Sequence, residues 1–178
     1  MLADPRQSLL VLINPARAGS HAASGEFIAR WRESLALLPA VFEILGVGVH
    51  AIGDFDAALL PAELARSMTS LEGDGLSLWR NEQFRTSIAT SNVSVIFLGG
   101  AFLEEEVFIA ALEAVRLGYD VRLLADLAVA RSEADRSLVL DRLALHGVLT
   151  TTVRQALLEW AVCLDDAIST QRVVKLLS

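Results

Sequence analysis

The chain has 178 residues, 53% hydrophobic and 21% charged, with a formal net charge of −7 and a pI near 4.9. That composition excludes a disordered chain, and the acidic balance argues against nucleic acid or an anionic membrane as main partner, since both demand a basic face. Mean hydropathy is high, at +0.48, yet no apolar run reaches the ~18 residues of a membrane span.

The apolar surplus is therefore assigned to a subunit interface, because obligate interfaces resemble a core cut in half. The length fits a single domain over residues 1–178, with a tail from about residue 167 held for an oligomer contact. No basic region precedes the first apolar run, so no signal peptide is read. One cysteine, Cys163, excludes an intramolecular disulfide and fits a reducing cytoplasm.

Residues 8–14, SLLVLIN, predict a buried strand. PARAGSHAAS, residues 15–24, is rich in turn residues and predicts the loop at that strand's C-terminal end. Phe27, Trp31 and Leu35 share a helix face. Pro39 is expected to break that helix, with AVFEIL a second short one closed by Gly46. VGVHAI reads as a strand, PAELARSMTSL as one helix, EGDG as a turn and GLSLW as a strand.

VSVIFLGG, residues 93–100, is a strand ending in two glycines. A helix from Glu104 to Leu117 follows, stopped by Gly118. YDVRLLAD is a strand, and SEADRSLVLDRLALHG a helix with Ser132 as N-cap and Gly147 at its end. VLTT is a last short strand, TTVRQALLEWAVCLDDAI a long helix, and STQRVVKLLS a turn or arm. Apolar strands alternating with helices predict a three-layer α/β/α, Rossmann-like fold with a mostly parallel central sheet. Ligand sites in such folds lie at the strands' C-terminal ends. Here those ends follow Asn14, Ile52, Trp79, Gly100 and Asp126.

The second half, from Gly100 through AALEAVRLGYDVRLLAD to HGVLTTT, resembles the isochorismatase-like cysteine hydrolases. That family reads G-x-x-T-x-x-C-V, then Gly-Tyr, an apolar strand, Asp-Ala and Val-Thr-Thr. LLVLIN resembles its opening strand, and WRNEQFRTS its K-x-R-x-S-A-F-x-x-T segment. The resemblance implies an isochorismatase-like hydrolase fold. It also implies hydrolysis of amides, ureas and related small molecules by an Asp, a Lys and a Cys. A helix N-terminus and a lysine activate such a thiolate, the Asp shuttles the proton, and backbone N–H groups hold the oxyanion.

The matching positions here hold Asn14 for the Asp, Leu78 for the Lys and Glu106 for the Cys, with Leu103 for the family's Thr. Glu106 is read either as a replacement nucleophile or base or, with Glu104 and Glu105, as negative charge facing a helix dipole. Asn14 either orients a ligand or satisfies backbone groups as a polar loop residue. Arg80, Phe84 and Phe102 join Asn14 and Glu106 as ligand-binding candidates, with surface placement the default for Arg80 and Arg85. Cys163 reads as a small buried helix residue. Trp31, Trp79 and Trp160 read as core or interface packing.

No cofactor is implied. Metal-binding relatives place an Asp and two His after the second strand, and only His50 with Asp54 and Asp56 approximates that, so no metal is assigned. His21 joins no cluster, and His146 suits a helix's last turn. GGAF lacks the lysine and glycine spacing of a phosphate loop.

The favoured reading is a catalytically inactive homologue with a structural, binding or regulatory role. The rival is an active hydrolase rebuilt around Glu106 with His50 or Arg80. Implied partners are further copies of the chain, as a dimer or tetramer, or an active paralogue.

Overall fold

The computed structural model describes residues 2–20 and 25–178. His21 and the rest of residues 21–24 lie outside the described residues. The chain forms a three-layer α/β/α sandwich around six parallel strands in the order β3-β2-β1-β4-β5-β6. The strands are β1 (Ser8–Ile13), β2 (Gly48–Ile52), β3 (Thr69–Leu71), β4 (Val95–Ala101), β5 (Asp120–Val129) and β6 (Leu149–Thr151).

Every residue of β1 and β4 is buried, as expected for strands covered on both faces. Side chains of β1 alternate between two apolar cores. Leu10 and Leu12 join the cluster under α2 (Gly25–Glu43) and α7 (Val153–Cys163), with Trp31, Leu38 and Trp160. Leu9, Val11 and Ile13 join the cluster under α4 (Glu82–Ala89), α5 (Phe108–Arg116) and α6 (Arg136–Leu145), with Phe84, Ala111 and Leu143. Among the described residues no helix is long and apolar enough to cross a membrane.

The order reverses between β1 and β4, so the crevice at their C-terminal ends is the topological switch point where open α/β sheets bind ligands. The close approach there needs glycine. A Cβ on Gly100, whose φ is +118°, would lie 1.9 Å from the Ile13 carbonyl oxygen.

Several expected elements come out differently, because local signals lost to caps and packing. Residues 15–20 form a helix, α1 (Pro15–Ser20), not a loop. Pro15 is pre-set for a first helical position, and the Asn14 carbonyl accepts from the N–H groups of Arg17 and Ala18. Helix α2 runs through Pro39 without a second helix after it. The proline lacks a donor for the Leu35 carbonyl, but burial of Leu35, Leu38 and Val41 holds the helix together. Residues 61–71 split into α3 (Ala62–Ser67) and β3, whose residues pair with His50 to Ile52.

GLSLW belongs not to a strand but to a 3-10 turn, Gly75–Arg80, capped by Asp74 through the N–H of Leu76. Residues 103–107 form a π-helical turn, and α5 starts only at Phe108. Strand β5 continues to Val129, past a bulge opposite Leu98 and Gly100. Ser132 makes no side-chain cap bond, and its N–H donates to Glu104 Oε1 at 2.9 Å. The last long helix stops at Cys163. After Asp165, at φ +53°, the tail forms a further helix, α8 (Ala167–Leu177), which buries Val173.

Candidate functional site

At the switch point the chain leaves β1 through Asn14, at φ +46° and 2% exposed. Asparagine tolerates that left-handed backbone better than most residues. Both polar atoms of its side chain have partners. Nδ2 donates to the Ala101 carbonyl at 3.0 Å, and Oδ1 accepts from the Asp54 N–H at 3.0 Å. The amide thus ties the ends of β1, β2 and β4 together.

On the other side of the crevice stands Glu106, 6% exposed. Its Oε2 accepts from the Phe102 N–H at 3.3 Å, and its Oε1 from Arg17 Nη1 at 2.8 Å. Asn14 and Glu106 therefore grip the same peptide unit, Ala101–Phe102, one at its carbonyl and one at its N–H. That unit is cis. Arg17 completes the network by donating Nε to Asp54 Oδ2. The hydrogen bond to Asp54, with the nearby Asp54 and Glu106 charges, holds the guanidinium pKa above its ordinary value.

The space beside Glu106 is filled by backbone. A Cβ on Gly75 would lie 3.1 Å from Glu106 Cβ and 2.6 Å from Ile13 Cγ2, so the 3-10 turn packs directly on the carboxylate's stem. Leu78 and Leu103 are fully buried in the apolar cluster with Ile13 and Ile52. Five surface cavities of about 290 to 460 Å³ are lined by none of Asn14, Leu78 and Glu106.

The three consecutive glutamates take separate partners instead of crowding a helix end. Glu105 accepts two bonds from Arg131, at 2.6 and 3.1 Å, and that pairing holds its carboxyl below the usual carboxylate range. Glu104 meets Ser132, and Glu106 meets Arg17. Phe102 lies in the opposite core, with the Arg131 guanidinium 4.0 Å over its ring. Phe84 is fully buried beside Trp79 and His50. Arg80 is exposed and stands at a different cavity, with Arg85. The crevice brings Asn14 and Glu106 together on the Ala101–Phe102 peptide, while Arg80 lines the cavity beside Trp79 and the Phe84 and Phe102 side chains are buried in the two cores.

Burial pushes the His50 imidazole down. Asp54 is spent on Arg17, and Asp56 caps the turn at Ala58. Cys163 is half-buried at the end of α7 rather than fully buried. Trp31, Trp79 and Trp160 are buried, and the Trp160 indole donates to Ser8 Oγ at 3.0 Å. Sequence reasoning missed Arg17, the residue that joins Asp54 to Glu106. Its signal was Pro15 directly after Asn14, which starts a helix and directs Arg17 at the crevice.

The sequence matches no model of a known protein family, and no curated protein matches it. Solved structures do. The MAR1 ribonuclease from Caenorhabditis elegans shares 18% identity and a TM-score of 0.81, over 99% of this chain and 92% of its own. The Escherichia coli YcaC gene product, described as an octameric hydrolase of unknown specificity, shares 16% identity and a TM-score of 0.75 over 97% and 89%. The nicotinamidase PncA from Bacillus subtilis shares 13% and 0.63 over 82% and 99%. The fold of this chain is that of the isochorismatase-like α/β hydrolases.

Proposed function

We propose that the chain is a catalytically inactive homologue of the isochorismatase-like hydrolases, with the old catalytic crevice rebuilt as a structural brace. The observation that carries this reading is the enclosure of Glu106, which is 6% exposed. Both its oxygens hold bonds, to Arg17 and to the Phe102 N–H, and Gly75 closes on its stem. A nucleophile or base must reach its substrate, and Glu106 lines none of the five surface cavities. Asn14 offers no titratable proton, and its amide already serves two backbone groups. Leu78 offers no charge in place of a lysine.

What remains is a scaffold for assembly, binding or regulation. The proposed partners are other copies of the chain or an active paralogue, with α8 among the contact surfaces. The acidic balance disfavours nucleic acid, and the single half-buried thiol fits a reducing compartment.

A second reading keeps activity. A buried carboxylate beside an arginine, at the mouth of β1 and β4, stands where such folds do chemistry. A panel of amide, urea and vinyl-ether substrates, run on wild type and Glu106→Gln, separates the two. The inactive reading expects no turnover above background from either protein. Wild-type turnover that the Glu106→Gln variant loses overturns it and establishes the rebuilt hydrolase.

A further inference from the structure

Away from the crevice, a cavity of about 400 Å³ opens between α4 and α5. Its volume is that of a small-molecule site. Arg80, Arg85 and Arg116 stand around it, with Glu113 as the one carboxylate in its lining. Among the described residues, none of these three guanidiniums makes a salt bridge or hydrogen bond. Elsewhere Arg6, Arg17, Arg122, Arg131 and Arg136 have carboxylate partners, while among the described residues Arg30, Arg32, Arg66, Arg142, Arg154 and Arg172 have none, so what sets the three apart is their gathering on one cavity. In a chain of net charge −7, three unpaired arginines on one cavity leave a local excess of two positive charges.

The rest of the lining is largely apolar. Trp79 is buried, and its indole donates to the Ala110 carbonyl at 2.8 Å. Tyr119 stacks on it at 5.3 Å and 26°, and Phe84 meets it edge-on. Tyr119 is half-buried, so part of its ring faces the cavity with Ile88 and Leu117. Packed aromatic side chains and three arginines on one cavity combine the two contacts that hold a planar anion. Stacking takes the ring, and forked charge-assisted bonds take the oxyanion.

We propose that this cavity binds an organic phosphate carrying a planar ring, of mononucleotide size. Arg80, Arg85 and Arg116 hold the phosphate, and Tyr119 and Leu117 take the ring. Two surplus positive charges match a phosphate dianion. Tyr119 and Trp79 are packed before the ligand arrives, which spares the ordering that binding otherwise requires. The inference does not depend on whether the crevice is active, because none of these residues belongs to the Asn14–Arg17–Glu106 network.

The test is calorimetric titration of the full chain with adenosine monophosphate, adenosine and inorganic phosphate at low salt. The expected result is saturable binding of the monophosphate, with adenosine and phosphate each at least about tenfold weaker. The Arg85→Gln/Arg116→Gln double variant should weaken the monophosphate by about tenfold or more, the measure of a lost charge-assisted bond. Tyr119→Leu should weaken the monophosphate but leave inorganic phosphate unchanged. Circular dichroism confirms that each variant is folded. Should the double variant not fold, Arg80→Gln alone takes its place, with the same expectation. No binding of the monophosphate at millimolar concentration overturns the proposal, as does a folded arginine variant that binds it like wild type.

Discussion

Two buried polar side chains decide what the crevice is. Asn14 and Glu106 satisfy the two ends of one peptide unit, and Arg17 ties that unit to Asp54. A buried polar group costs little only when it is hydrogen-bonded, and here each polar atom of the two side chains has a partner within the chain. His50 is the opposite case. Its Nδ1 is buried without a partner, and burial holds the imidazole below its ordinary value of about 6.5. The folded chain keeps it neutral where the unfolded chain takes up a proton, so the unfolded state binds more protons in that window. Stability therefore falls as pH drops through about 6.5 and levels off once the folded-state group titrates. Urea unfolding across that range should show the slope, and His50→Gln should flatten it. The depressed carboxylates Asp4, Glu105 and Asp166 act at lower pH, where their stabilisation fades as they take up protons.

Among the elements, the β1–β4 junction carries the tightest constraint. Gly100 meets the backbone of Ile13, which cannot yield as a flexible side chain would. Gly100→Ala should lose more than about 3 kcal/mol of stability, read as failed folding or a collapsed urea midpoint. The main elements were legible because their signals are local. Apolar runs marked β1, β4 and β5, and Gly118 and Gly147 marked helix ends. Elements fixed by tertiary partners were not. Residues 69–71 became a strand only because β2 offered an edge, and residues 75–80 a turn because they pack on the turn at Leu103–Val107. Pro39 was outvoted by the core it helps fill. In the crevice, Asn14 and Glu106 were legible from the resemblance. Arg17 was hidden in a stretch whose small residues read as loop.

At the scale of the whole molecule, several large apolar side chains remain on the surface. Ile168 is 69% exposed on α8 and Val162 58% exposed on α7, while Leu138 and Leu145 stand out from α6. Where such side chains adjoin, they mark contacts with other chains. Light scattering at micromolar concentration should give at least the mass of a dimer, and Ile168→Glu should lower it if α8 belongs to the interface. The account as a whole turns on Glu106 serving the fold. Residues kept for catalysis commonly reduce stability, and replacing them raises it. A residue that braces the structure does the reverse. The most direct measurement is the urea unfolding free energy of Glu106→Gln against wild type. The account predicts a loss of about 1 to 3 kcal/mol, the worth of a buried charge-assisted bond. A Glu106→Gln protein more stable than wild type would contradict it.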